Sequence, residues 1–530
     1  MKNSAIKTVT LIIFATMFSK VLGLVRDMLL AYYYGATPEN AAFLAALRIP
    51  LTFFDLIFGA AILGVFIPIY NSIRETNQQN ENKPDIKNIG NADDFANIFI
   101  STVILLTGIL SFLGIIFSER IVMLITSGYD EEKLKLTSDL LKILFPMIIF
   151  IGSTYILTGI LQSKDKFLIP AFVSAVSNTG VIFYFLFLNK YFGIYGLSAA
   201  YLISWAIQVL TLALPLRKTN YKYKFKLDFK NPELIKAVKT TIPIMAGSWL
   251  VPVGFLAGNN YASKTIENDA AITSFYYSTV VFLLISGILT HSICNYIFPK
   301  LAQNASDENK TEFLNIVKNG LSAAFFIIIP VSCIVYVLRN EAIVILFMRG
   351  EFTADVALTT ANMLAALIPA MVMFSVTEIL NRVYYAKKMA KFPMIASLCG
   401  IILNIALCEI FIVRMGLSPV YIAVSSFCAQ TLAALILMIV LAKKIKGVFI
   451  KVFFVNFFKT VISSAVLFTS AMFIYNIIKN DVFNANLLTN ILTSAAVAVA
   501  GIIIYLAINF ALKTDLLFSL RKKAINTEKE

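Results

Sequence analysis

About fourteen apolar runs of some twenty residues each succeed one another along this chain, separated by short polar turns. Twenty residues are what an α-helix needs to cross a hydrocarbon core of about 30 Å. Hydrocarbon offers no partner to backbone N–H and C=O groups, so runs of this length must satisfy their own as helices. The expected fold class is therefore an all-α polytopic membrane protein with about fourteen transmembrane helices. Composition agrees: 59% of residues are hydrophobic and 14% charged, against about 25% charged in a soluble domain. Lys2 and Lys7 ahead of an apolar run resemble a leader, but no small-residue cleavage site follows, and the run reads as a retained first span.

The net charge is +15. Its cations are grouped between apolar runs rather than on a soluble face, which excludes nucleic acid as a partner and gives an orientation. With the N-terminus inside, every second connection is basic: Lys164 and Lys166, Arg217 to Lys230, Lys387 to Lys391, Lys443 to Lys446, and the tail around Arg521. Both termini are expected in the cytoplasm of a multi-pass cell-membrane protein. The polar stretch from Arg74 to Asp94 reads as a solvated loop. The five cysteines lie within apolar runs without metal spacing, and the single histidine, His291, has no second ligand near it. No phosphate-cradling glycine loop, metal-binding histidine pair or nucleophile elbow occurs, so the chain does not read as an enzyme, and no cofactor is expected.

A weak internal repeat divides the chain. LQSKDKFLIPAF around Pro170 and YYAKKMAKFPMI around Pro393 are both a basic turn, then Lys-Phe, then a proline opening the next helix. Gly196-Leu197-Ser198 and Gly416-Leu417-Ser418 follow, each ahead of a further span with a glutamine, Gln208 or Gln430. Six spans per copy keep both in one orientation, related by a pseudo-twofold along the membrane normal. The expected organisation is an N-terminal six-helix lobe over 1–216, a basic cytoplasmic linker over 217–233 and a C-terminal six-helix lobe over 234–446. Two additional helices (447–512) and a cytoplasmic tail (513–530) complete it. The linker reads as a solvated segment facing lipid headgroups.

Charges inside spans are the functional signal, since each costs about 2.5–3.5 kcal/mol at mid-bilayer and normally faces a cavity or a partner. The first span carries Lys20, Arg26 and Asp27, and the second carries Arg48 and Asp55. Three cations against two acids leave a positive excess, suited to an anionic substrate. A local Arg26–Asp27 pair that only fixes packing is the competing reading. Further pathway candidates are Asn260, Glu378 and Arg382, with Asn178, Asn259, Asn295, Asn381, Asn404 and Glu409 behind them. Glu378 and Arg382 are four apart, a spacing that also makes an ordinary helix-surface ion pair.

The stretches MFSKVLGLVRDMLLAYYYGA, AAFLAALRIP and FIPIY resemble the opening of the bacterial lipid II flippases (MurJ/MviN), and RGEFT, LNRVYYAKK and LNIAL resemble their second lobe. The resemblance implies the multidrug/oligosaccharidyl-lipid/polysaccharide exporter superfamily: two six-helix lobes around a central cavity, with two further helices forming a groove for a polyprenyl tail. It implies a substrate too, the undecaprenyl-pyrophosphate-linked peptidoglycan precursor lipid II, carried from inner to outer leaflet by alternating access for cell-wall synthesis. The family's motif residues fall on Arg26, Asp27 and Arg48. Lys20 stands where many members have arginine, and Ser278, Thr279 and Val280 stand where a cavity arginine usually follows the paired aromatics. The expected partners are the lipid-linked glycan and membrane lipid, the expected unit a monomer, and the drive the membrane potential or a monovalent cation. A related polysaccharide-lipid exporter or a cation-coupled drug exporter is the alternative, although a drug site for cations should be acidic rather than basic. A non-transporting scaffold would leave the buried cations unexplained.

Overall fold

The computed structural model describes residues 2–59, 66–80, 92–219, 221–306, 309–445, 447–448, 451–478 and 481–514. Much of the polar stretch after Arg74 and the basic tail beyond Thr514 lie outside them. Among the described residues there are helices and connections and no strand.

The first compact unit, Met1–Lys264, contains α1 (Lys2–Tyr34), α2 (Pro38–Phe54), α3 (Ile67–Asn80), α4 (Ala92–Ile116), α5 (Ser118–Ile125) and α6 (Glu131–Leu144). It continues through α7 (Met147–Ser163), α8 (Leu168–Phe183), α9 (Asn189–Leu216), α10 (Pro232–Ser248) and α11 (Leu250–Ser263). The second unit, Thr265–Glu530, contains α12 (Asn268–Gln303), α13 (Lys310–Val337), α14 (Arg339–Leu346), α15 (Ala354–Ala386) and α16 (Lys391–Cys408). Its remaining helices are α17 (Val420–Lys444), α18 (Lys451–Ile478) and α19 (Leu487–Ala511).

Eleven stretches are long and apolar enough to cross a membrane, and the bent pair α10–α11 brings the number to twelve. One of them, Leu168–Leu216, is 49 residues long and holds a non-helical turn at Gly193, so it crosses twice. Counting α1 as well, a 33-residue helix that is apolar through most of its length, agrees with the expected fourteen.

Local sequence sets the helix ends. Thr37 caps α2, its hydroxyl accepting from the Asn40 amide, and Pro38 occupies the first turn, where no N–H partner is needed. Asp130 caps α6 through the amide of Lys133. In the first unit α2 and the α6–α7 stretch are the most buried of the candidate spans, each with 67% of its window buried; α2 packs on α6, α7, α9 and α11 while α1 lies along α8. In the second unit α15 has that role, against α12, α13 and α17. The additional pair differs: only 22% of α18 and of α19 is buried, so lipid solvates most of their side chains. They dock on α13 and α14 through a core of Val337, Leu338, Leu467, Ala471, Val497 and Tyr505, and the Tyr505 hydroxyl donates to the Phe326 carbonyl at 2.8 Å.

The repeat is present in the backbone. After α7, Asp165 takes a left-handed conformation (φ 60°) and the Lys166 amide donates to the Leu161 carbonyl at 2.9 Å. After α15, Lys388 does the same (φ 57°) and the Met389 amide donates to the Tyr384 carbonyl at 2.8 Å. Both are helix-ending turns in which an amide reaches back five residues past a left-handed residue. Pro170 and Pro393 then sit in the first turns of α8 and α16. Both helices finish in a wider π turn, Tyr184–Leu188 and Glu409–Arg414, before a left-handed glycine. That glycine is Gly416 (φ 62°) in the second copy but Gly193 (φ 54°), not Gly196, in the first. Matching the Gly-Leu-Ser triplets thus misplaces the first turn by three residues.

The basic linker is largely exposed but is also tied to the protein. Residues 221–228 form no helix, strand or turn and are strapped across the start of α4. The Tyr221 hydroxyl donates to Asn97 Oδ1 (2.8 Å), the Tyr223 hydroxyl lies 3.1 Å from Ser101 Oγ, and the Lys226 amide donates to that same Oγ at 3.1 Å. Lys226 Nζ pairs with Asp94 Oδ2 at 3.2 Å. Burial pushes the Tyr221 phenol well above its ordinary pKa, with the Asp93 charge adding to the shift. Its lysines remain exposed, but its backbone is held.

By packing, α10 and α11 group with the first unit rather than the second. Trp249 Nε1, at their junction, donates to the Leu56 carbonyl at 2.9 Å. That carbonyl lies in a π turn, Asp55–Gly59, where the regular helix ladder is interrupted, and the indole supplies a partner.

Candidate substrate-binding site

The charged stretch of α1 is organised by α8. Gly23 has no side chain, and this lets α8 approach closely enough for Asn178 to reach across: its Nδ2 donates to the Ser19 carbonyl at 3.1 Å. The Ser19 hydroxyl in turn donates to the Ala171 carbonyl at 3.1 Å. Asn178 is 7% exposed, and its other amide atom, Oδ1, accepts from Arg26 Nη1 at 3.1 Å.

Arg26 folds back on its own neighbour. Nε and Nη2 donate to Asp27 Oδ1 at 3.0 and 2.8 Å. The Asp27 side chain is 7% exposed, that of Arg26 24%. The guanidinium lies 5.5 Å from the centre of the Tyr201 ring on α9, and Tyr201 meets Phe43 of α2 edge-on at 5.3 Å. So α1, α8, α9 and α2 converge on one cation. The local Arg26–Asp27 pair exists, but Asn178 and Tyr201 also orient the same group, which is more than packing alone requires. A guanidinium pre-set in this way is suited to a planar, bidentate contact with a phosphate.

Arg48 lies elsewhere in this unit, stacked 4.2 Å over the Phe255 ring of α11. Asp55 stands two helical turns beyond it, on the same face, and opens the π turn with its side chain exposed. Lys20 is exposed and has no ion-pair partner among the described residues. The structure therefore brings Arg26, Asp27 and Asn178 together and leaves Lys20 outside that cluster.

The other pathway candidates have structural partners. Asn260 Nδ2 donates to the Leu124 carbonyl (2.8 Å) and Ser127 Oγ (3.2 Å), tying α11 to the end of α5. Glu378 and Arg382 form the i,i+4 pair at 3.7 Å, with Arg382 5.9 Å from the Phe298 ring centre. Where an arginine follows the paired aromatics in many flippases, Ser278 and Thr279 are buried and bond to their own helix. Tyr201 and Phe255 are contacts that sequence reasoning missed. Each is an aromatic among many in an apolar helix, and nothing local distinguishes it.

Residues 30–514 match the family model described as lipid II flippase MurJ. The chain is 28% identical over 394 residues to a probable lipid II flippase MurJ from Buchnera aphidicola, covering 73% of this chain and 75% of that one. It is 26% identical over 453 residues to the corresponding protein of Bdellovibrio bacteriovorus, covering 84% of each. A solved structure of lipid II flippase MurJ in an inward closed conformation superimposes with a TM-score of 0.77 at 25% identity, over 96% of this chain and all of that one. An inward-facing multidrug transporter of the wider superfamily gives 0.65 at 15% identity, which extends the likeness of fold alone. The opening motif, the two repeated halves with their additional helix pair, and the match over nearly the whole chain agree: this protein belongs to the lipid II flippase MurJ family.

Proposed function

We propose that this protein is a lipid flippase that carries lipid II, the polyprenyl-pyrophosphate-linked cell-wall precursor, from the inner to the outer leaflet by alternating access. The observation that carries the reading is Arg26: a cation within a span, oriented by Asp27 and Asn178 and still a quarter open. A pyrophosphate loses its hydration on entering a membrane of about 30 Å, and charge-assisted hydrogen bonds from Arg26 offset that loss. Arg48 and Lys20 add positive charge on the same unit, and Asp55 sits within reach of the Arg48 field. The polyprenyl tail stays apolar throughout, and α18 and α19 offer it a surface already solvated by lipid.

The protein acts as a monomer in the bacterial cell membrane with both termini in the cytoplasm, as its basic connections favour. The membrane potential, worth about 2.3 kcal/mol per charge per 100 mV, drives an anion outward from a negative interior, and a monovalent cation is the other candidate for coupling. The decisive test is the appearance of the precursor on the outer leaflet of vesicles that contain this protein alone. Loss of transport in an inserted, folded Arg26→Ala, Arg48→Ala double variant is expected, and undiminished transport would overturn the assignment.

A further inference from the structure

The strap over residues 221–230 reads Tyr-Lys-Tyr-Lys-Phe-Lys-Leu-Asp-Phe-Lys. Its aromatic residues are Tyr221, Tyr223, Phe225 and Phe229, and its lysines are Lys222, Lys224, Lys226 and Lys230. Tyr221 is buried against α4, and Tyr223 and Lys226 also bond to that helix. The other aromatic surface is open: Tyr223 is 46% exposed, Phe225 64% and Phe229 57%. The lysines are exposed too.

The height of this strap in the membrane follows from α4. Its 25 residues make a helix of about 37 Å, longer than a hydrocarbon core of about 30 Å. The first turns of α4 therefore stand among the headgroups. The strap contacts α4 at Asp94, Asn97 and Ser101, at the level where that helix enters hydrocarbon. It also begins just past Leu216, where α9 ends. Tyrosine and phenylalanine at this depth sit with their rings among the acyl carbonyls, and lysines beside them reach phosphates. The charges facing the lipid are Lys222, Lys224 and Lys230, with Asp228 accepting from the Lys230 amide at 3.1 Å and Lys226 held by Asp94.

We propose that residues 221–230 form a membrane-surface binding element for anionic phospholipid, with Phe225 and Phe229 seated at the headgroup boundary and Lys222, Lys224 and Lys230 on lipid phosphates. The backbone is already fixed by α4, so lipid binding orders little beyond the side chains. This element is separate from the Arg26 site and does not depend on the transported substrate.

The test places p-benzoylphenylalanine at position 225 of the full-length protein in nanodiscs of phosphatidylcholine with a minor fraction of phosphatidylglycerol. After illumination, mass spectrometry reads the adducts. Lipid adducts are expected, with phosphatidylglycerol enriched severalfold over its share of the disc and the enrichment falling as salt is raised. In a Lys222→Gln, Lys224→Gln, Lys230→Gln variant, which leaves the Lys226–Asp94 pair intact, adducts should persist at the bulk lipid ratio. Absence of any lipid adduct, enrichment indifferent to salt, or adducts of the native strap at bulk composition would each overturn the proposal.

Discussion

A Cβ on Gly23 would stand 3.2 Å from Nδ2 of Asn178. That amide cannot easily retreat, because it donates to the Ser19 carbonyl while its oxygen holds Arg26. Gly23→Ala should therefore displace the group that aims the guanidinium, at a cost of about 1–3 kcal/mol for overpacking. The expected outcome is a protein that inserts normally and transports poorly. A variant with normal transport would show that α8 can shift aside without consequence.

Substitutions at the cluster itself should fall into an order. Arg26→Ala removes charge and fork together and should abolish transport. Arg26→Lys keeps the charge without the planar pair of donors and should retain part of it. Asn178→Ala leaves the charge but loosens its aim. With a hydrogen bond to a charged group worth about 1.5–3 kcal/mol, it should slow transport about ten- to a hundredfold. Initial rates of precursor exposure in reconstituted vesicles give the ranking directly, and Asn178→Ala falling below Arg26→Ala would contradict it.

Gly193 has φ 54° and ψ −147°, a region open to glycine and strained for any residue with a Cβ. No atom stands within 4 Å of where that Cβ would be, so the cost of Gly193→Ala is backbone strain alone, about 1–3 kcal/mol. Gly196→Ala should destabilise for a different reason, because its Cβ would collide with Phe192 and the Tyr184 ring. Thermal unfolding in detergent should show both losses. Trimming Tyr184 to Leu should relieve only part of the second, because the Phe192 Cβ still stands in the way.

Glu341, in the first turn of α14, is 1% exposed, so its carboxylate is shut away from water. Burial raises its pKa, and the nearby Tyr475 hydroxyl and Arg339 charge oppose the shift without cancelling it. A carboxyl whose folded pKa is raised contributes its full stability below the unfolded pKa of about 4.3 and loses it as pH rises through the folded value. Glu341→Gln, which resembles the protonated form at every pH, should therefore raise the unfolding temperature at neutral pH. The advantage should disappear in acid. An advantage that grows on acidification would mean that the carboxylate is stabilised in its charged form.

The class of fold was legible because hydrocarbon leaves few choices: long apolar runs, basic connections and an even count followed from the sequence. The repeat was legible at Pro170 and Pro393, where proline leaves a chemical mark, whereas the left-handed turn at Gly193, three residues before the Gly-Leu-Ser triplet, was not. Arg26, Asp27 and Asn178 could each be picked out as polar groups in apolar helices. That Asn178 would meet Arg26 could not, since the contact depends on how α8 lies against α1 across a glycine. Tyr201 and Phe255 were invisible for a related reason, because an aromatic that stacks on a cation has the same local sequence as one that faces lipid. The linker's lysines are exposed, as its charge suggested, but that Tyr221 and Tyr223 would tie it to α4 had no mark in the sequence.

The π turns at Tyr184–Leu188 and Glu409–Arg414 each hold about one residue more per turn than the α-helix they continue. Winding after them is out of phase with winding before them by about 100°. Asn178, ahead of the shift, faces α1, and Phe187 within the π turn is 56% exposed. Removing one residue from either π turn should restore plain α winding and rotate the following glycine turn, with Asn178 and Asn404 left where they are. Chain-length differences among relatives should therefore collect at these two places, the wide turns serving as slack where an added or lost residue is absorbed before it reaches the rest of the helix.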